Sequence, residues 1–275
     1  MLKRYSYRLI RPLLLIGLLS GCNHAGIYGT VTNHEGEALP GVSIRLANNG
    51  EVNAVTNTLG EYRLNAKPGQ LTIEYAKSGY TLVKNTLSLE QSSSSLLPVV
   101  EMWNLPSENS VFLYQKTLYT PATWLKPKRY YMTDDTSSYG TIREPDLQTT
   151  NPLPLIVCFK MPRYDARLTR LHQRKAQVPQ DEKQTFDVWV PAASISVNLE
   201  PLVPSDPSLL KLNLFEELEP ARYALHWGAL DGYTTIDDRM YMFEILEKPD
   251  PLLGGVDPKL DGQDQGDLHI EGDAP

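Results

Sequence analysis

The chain has 275 residues and a net charge of −7, with 33 acidic against 26 basic side chains. That balance argues against nucleic-acid binding, which wants a basic footprint, while 21 prolines and 18 glycines put turn signals along the whole chain. Residues 1–21 carry Lys3, Arg4, Arg8 and Arg11 and no acidic residue, followed by the apolar run Pro12–Leu19 and then Ser20, Gly21 and Cys22. A positive segment, a short apolar segment and a small-residue cleavage site make an export signal. The apolar run falls short of the roughly 20 residues needed to cross a bilayer core.

Leu19-Ser20-Gly21-Cys22 resembles the lipobox of bacterial lipoprotein signals. The resemblance implies cleavage between Gly21 and Cys22, an S-diacylglyceryl group on the Cys22 thiol and an N-palmitoyl group on its new amino group. An ordinary secretory signal with a chance cysteine, or an uncleaved anchor, are the alternatives. Each buried methylene adds about 0.8 kcal/mol, so two or three chains hold firmly where one does not. An Asp after the acylated cysteine commonly retains such proteins on the inner membrane. Asn23 stands there instead, which implies an outer-membrane anchor facing the periplasm, with the cell surface as the alternative. With Cys22 acylated, Cys158 has no partner for an intrachain disulfide, and its setting in Leu155–Phe159 suits a buried, inert thiol, with a reactive or intermolecular thiol as the alternative. Without residues 1–21 the balance is 22 basic to 33 acidic, a net of −11.

Residues 22–25 read as the acylated cysteine and a short tether, and residues 26–104 as the first folded unit. Strands are predicted at Ile27–Thr32, Val42–Leu46, Val52–Thr56, Glu61–Leu64, Leu71–Tyr75, Leu82–Leu89 and Leu97–Met102, with turns at Asn33–Gly36, Leu39–Gly41, Asn57–Gly60 and Lys67–Gly69. Strands of about five residues at this spacing suggest an antiparallel sandwich. Ser92–Ser95 reads as an exposed loop, and the unit ends within Asn104–Asn109. The succession Gly29-x-Val31, Gly36-x-x-Leu39-Pro40-Gly41-Val42, Thr56-Asn57-x-x-Gly60-x-Tyr62-x-Leu64, Pro68-Gly69 and Ser78-Gly79-Tyr80 resembles the carboxypeptidase regulatory-like domain. The resemblance implies a transthyretin-like β-sandwich that serves as a stiff spacer or docking surface. Asn57 departs from the family's usual Asp, yet Asn also makes an Asx-turn. Turns and core account for each motif residue.

Residues 110–248 form a second β-rich unit with weaker signals. Its candidate strands are Val111–Tyr114, Arg129–Met132, Leu155–Lys160, Thr185–Val190, Ile195–Leu199, Leu209–Leu214, Arg222–Trp227 and Arg239–Leu246. Asp165–Gln177, with Leu168 and Leu171 on one face, is the one helical expectation, and Thr133–Asn151 reads as a long exposed loop. Leu218-Glu-Pro-Ala-Arg-Tyr223 before the penultimate strand resembles the tyrosine corner of immunoglobulin-like sandwiches, in which the hydroxyl bonds back to upstream backbone. A different β-rich fold is the alternative. The stretch 249–275 holds seven acidic residues, one Lys and no aromatic, too little to bury a core, and reads as a disordered acidic tail. Asp257, Asp261, Asp264 and Asp267 do not fit a calcium-loop spacing.

The expected architecture is all-β: two sandwiches in tandem, after a lipoprotein signal and before an acidic tail. No catalytic, cofactor or metal motif is found. The nearest to a constellation is His226 with Asp231, Asp237 and Asp238, and a solvent-facing His226 accounts for it equally well. Trp189 and Trp227 read as core, with a ligand platform as the alternative. The sequence therefore points to a non-enzymatic, membrane-anchored envelope protein that acts as a structural or protein-docking module. Its partners are membrane lipid, through the Cys22 acyl chains, and an envelope protein. A glycan-binding lipoprotein and an enzyme with an unrecognised site in residues 110–248 are the alternatives.

Overall fold

The computed structural model describes residues 25–47, 52–90, 94–178, 181–232 and 236–248. Cys22, its cleavage site and the acidic tail lie outside the described residues. Among those described, the regular structure is β throughout, as the turn-rich sequence predicts. Two compact units are present. One runs to Leu105 and takes in Val203–Asp206. The other holds Pro106–Leu202 and the described residues from Pro207 to Lys248.

The first unit contains β1 (Ala25–Asn33), β2 (Ser43–Leu46), β3 (Val52–Val55), β4 (Glu61–Ala66), β5 (Gly69–Ala76), β6 (Val83–Leu89), β7 (Ser95–Leu96) and β8 (Val100–Met102). They form a β4-β1-β7 sheet, with β8 also on β1, and a β3-β2-β5-β6 sheet. Alternate residues of β4 are buried, the period of two expected of a strand with one face on the core. Ile27, Val31 and Leu64 meet Ile44, Ile73 and Tyr75 there. The Tyr62 and Tyr75 hydroxyls bond at 2.7 Å inside this core. Burial pushes both pKa values up, so the bond joins two neutral phenols. Two details refine the expected sandwich. β7 and β8 run parallel to β1, and the end of the serine run, Ser95, starts β7.

The turn motifs have the expected structural causes. Asn57 Oδ1 accepts the Leu59 and Glu61 amides, both at 2.9 Å, closing the Asx-turn. Gly60 sits at φ +73°, and a Cβ there would lie 2.3 Å from the Val31 carbonyl oxygen. That oxygen accepts the Leu39 amide, while the Gly60 carbonyl accepts the Val31 amide. Only glycine fits so close an approach at a left-handed φ. The buried Thr56 hydroxyl accepts from Val42 N at 2.8 Å and donates to Leu39 O at 2.7 Å, tying two turns together.

The second unit contains β9 (Val111–Gln115), β10 (Leu118–Pro121), β11 (Trp124–Leu125), β12 (Lys128–Tyr131), β13 (Ser137–Gly140), β14 (Gln148–Thr149), β15 (Leu155–Phe159), β16 (Arg167–Val178), β17 (Asp181–Ile195), β18 (Val197–Val203), β19 (Asp206–Leu214), β20 (Ala221–Trp227) and β21 (Asp237–Ile245). One sheet runs β10-β9-β15-β19-β18, the other β11-β21-β20-β16-β17. Val111, Ile156, Cys158 and Leu210 of the first meet Leu168, Tyr223, Trp227 and Phe243 of the second in one core. Without their outermost additions the sheets read β9-β15-β19-β18 and β21-β20-β16-β17. These are the A-B-E-D and G-F-C-C′ orders of an immunoglobulin-like sandwich. The Tyr223 hydroxyl donates to the Glu219 carbonyl at 2.9 Å, the bond expected of a tyrosine corner.

Two expectations are corrected. Asp165–Gln177 is not a helix: Arg167–Val178 is strand β16, the partner of β17 and β20. Leu168 and Leu171 suited one helical face, but in the strand they serve opposite faces of the sheet. Thr133–Asn151 is not a free loop either. It holds β13 and β14, and Thr141, Leu147 and Thr149 are buried. The excursion from β11 to β14 lies on the sheet face turned away from the sandwich core. There Leu125, Ala224, Met240 and Met242 form a second core, and Met132, Ala176, Val188 and Val190 a third.

Candidate functional site

His226 is fully buried, which corrects the solvent-facing alternative. Its Nδ1 accepts the Gly228 amide at 3.1 Å, so the ring proton sits on Nε2, 3.0 Å from the Thr169 hydroxyl. Burial, with Arg167 adding to it and Asp231 opposing, lowers its pKa to about 4. The three aspartates each serve a different cation. Asp231 pairs with Arg167, Asp238 with Lys126 at 2.6 Å, and Asp237 with Arg239 at 2.6 Å. The expected constellation is therefore a neutral core histidine beside three separate ion pairs. Cys158 is buried and free, and burial pushes its thiol pKa up. Among the described residues no group of three or more His, Cys, Asp or Glu side chains is placed to hold a metal.

Trp227 belongs to the core and donates to the Pro162 carbonyl at 2.9 Å. Trp189 is only half buried, with the Arg222 guanidinium 4.0 Å over its ring. It flanks a strap, Gly140–Glu144, that crosses the outer face of the β11-to-β17 sheet. Thr141 and Trp189 exchange backbone hydrogen bonds at 3.0 and 2.8 Å. A Cβ at Gly140 would lie 2.2 Å from the Trp189 carbonyl oxygen, so glycine lets the strap lie flat. Glu144 fastens the far end through Arg222 and the Trp189 indole N–H.

Against this strap lies a cleft of about 650 Å³ bounded by Trp124, Lys126, Lys128, Tyr130, Ile142 and Arg143. Trp124 is 51 % exposed and Ile142 59 %. Trp124 sits in β11 opposite Tyr241, with the Arg239 guanidinium 5.8 Å from its ring centroid. Asp237 holds that guanidinium by bonds of 2.8 and 2.6 Å. Tyr130 is fixed edge-on against Phe186, 5.8 Å between centroids. Sequence reasoning missed this cluster. Its only signal was a tryptophan set among lysines and prolines in Pro121–Lys128.

Residues 26–100 match the carboxypeptidase regulatory-like domain. The match covers the first sandwich, where the motif residues form turns and core. No curated protein matches the chain. Among solved structures, similarity is found to a type II cohesin–X-dockerin complex from Acetivibrio cellulolyticus, with 14 % identity over 29 % of this chain and 58 % of that one, at a TM-score of 0.24. The TIE protein of Bacillus anthracis shows 12 % identity over 82 % of this chain and 49 % of its own, at 0.27. A DUF3823 family protein from Parabacteroides merdae shows 13 % identity over 82 % of this chain and 99 % of its own, at 0.22. The chain thus spans about half the length of the first two.

Proposed function

We propose that the chain is a non-enzymatic, lipid-anchored envelope protein that acts as a structural or protein-docking module, held at the outer membrane by acyl chains on Cys22. The carrying observation joins sequence and fold. The lipobox-like Leu19–Cys22 is followed almost at once by β1, which begins at Ala25. Three residue steps span at most about 11 Å, so an acylated Cys22 would hold the first sandwich against the headgroups with almost no tether. A carboxypeptidase regulatory-like sandwich suits that place, since its distinctive residues are spent on turns and core. The chemistry of the buried side chains suits a non-enzymatic role: His226 is neutral and bonded on both nitrogens, and the Cys158 thiol is fully buried with its pKa pushed up. The acyl chains engage membrane lipid, and an envelope protein is the docking partner.

Metabolic labelling with palmitate tests the anchor: the wild type should take up label and Cys22→Ser should not. Equal labelling of both refutes it. Density-gradient fractionation should place the labelled protein with the outer membrane, and recovery with the inner membrane would overturn the sorting argument from Asn23. Crosslinking of the anchored protein in its own membranes should give a reproducible protein partner.

A further inference from the structure

We propose that the cleft beside the Gly140–Glu144 strap is a binding site for a carboxylated saccharide, with Trp124 as the stacking platform and Lys128 and Arg143 as the carboxylate's cations. At about 650 Å³ it has the size of an ordinary small-ligand site. A tryptophan half in water loses most of the benefit of burying an aromatic ring. Trp124 is nevertheless held in one pose, by its place in β11 and by Arg239, which Asp237 locks in turn. A flat, pinned, water-facing ring suits the C–H face of a pyranose, because sugar stacks on a surface already ordered and little freedom is lost on binding.

The charges set the ligand's sign. The chain carries a net −7, yet three cations converge on this cleft. Lys126 is neutralised by Asp238 at 2.6 Å. Lys128 and Arg143 show no ion-pair partner among the described residues. Two cations at an aromatic cleft, neither in an ion pair with a described residue, on an otherwise acidic protein, attract an anion with an apolar face. Arginine's planar fork adds two-point recognition of a carboxylate. An acidic peptide fits less well. The strand edges beside the cleft, β11 and β12, are two and four residues long, short templates for an added strand. The site is independent of Cys22 acylation, so failure of the palmitate experiment leaves it standing.

The test is calorimetric titration of the full chain in detergent with trigalacturonate and 3′-sialyllactose. Galactotriose and lactose are the neutral counterparts, and pentaglutamate is a charge-only probe. At least one acidic sugar should bind roughly tenfold tighter than its neutral counterpart and than pentaglutamate. Trp124→Ala should weaken that binding by roughly tenfold or more, as should Lys128→Ala with Arg143→Ala. All three positions are exposed, and unchanged circular dichroism shows that the variants fold. The proposal is overturned by no binding of either acidic sugar, by equal binding of pentaglutamate, or by a Trp124→Ala variant that binds like the wild type.

Discussion

Acidification should weaken the second unit through a single buried histidine. In the folded chain His226 accepts a hydrogen bond from Gly228 N–H on Nδ1. A proton added there would set one donor against another, in a fully buried position. The folded pKa accordingly falls from the ordinary 6.5 to about 4. The unfolded chain takes up the proton near pH 6.5 and the folded chain does not until about pH 4. Between those values the unfolded state binds more protons, so stability drops as pH falls. The slope is about 1.4 kcal/mol per pH unit, about 3 kcal/mol over the whole window, and the loss levels off below pH 4. Above pH 6.5 both states are neutral and this contribution is constant. Urea unfolding followed by tryptophan fluorescence reads the effect, because Trp124, Trp189 and Trp227 all lie in the second unit. His226→Gln keeps a donor and an acceptor but does not titrate, so the difference in slope between the two proteins isolates the histidine from the carboxylates. Parallel slopes from pH 7 to 4.5, or an imidazole C2–H resonance that titrates near 6.5, would refute the reasoning.

Gly60→Ala should destabilise the first sandwich by about 3 kcal/mol, combining left-handed strain with overpacking against the Val31 carbonyl. Gly36→Ala, also at positive φ but with nothing within 4 Å of its Cβ, should cost about 1 kcal/mol; equal shifts in urea midpoint would show that the close approach does not matter. In a Cys22→Ser background, Cys158 should resist Ellman's reagent in the native state and react fully in urea. Rapid native labelling would place it outside the core. Gly140→Ala should lift the strap from Trp189 and speed proteolysis within Thr133–Asn151, whereas an unchanged cleavage rate would mean that the strap is not seated by that contact.

What the sequence revealed was what backbone geometry dictates. In the first unit, Asn57, Gly60 and Tyr62 recur in a fixed order because a turn, a close approach and a small core each admit few residue types, and all three play those parts. Tyr223 was legible for the same reason, since its corner bond needs only the spacing to Glu219. The errors arose where two surfaces compete for one strand. β16 is covered on both faces, so Leu168 and Leu171 can be buried on opposite sides, and their spacing of three imitates a helix. The same double cover hid His226, whose neighbours Leu225 and Trp227 pack in the sandwich core while its own ring serves the other side. The Trp124 cleft was illegible because its residues come from separate strands that meet only after the insertion folds back. Nothing in local periodicity reports such a meeting.

The insertion also bears on how this sandwich coheres. Antibody domains of this topology pin strand B to strand F with a disulfide. Here β15 supplies Cys158, but Leu225, two residues beyond the corner tyrosine, stands where the second cysteine would be, and both lie in one apolar core. The sheet that contains β20 and β21 is stabilised from its other side instead. Met240 and Met242 are almost wholly removed from water, with Leu125 and Tyr139 of the excursion from β11 to β14 in the same cluster, and burial of each such side chain contributes about 1.5–3 kcal/mol. Uncovered, they would form an apolar patch of the kind that drives aggregation. The insertion is therefore part of the fold rather than an ornament on it. The cleft at Trp124 is assembled from that same insertion, so its platform and cations rest on a packed element, which is what binding without induced ordering demands.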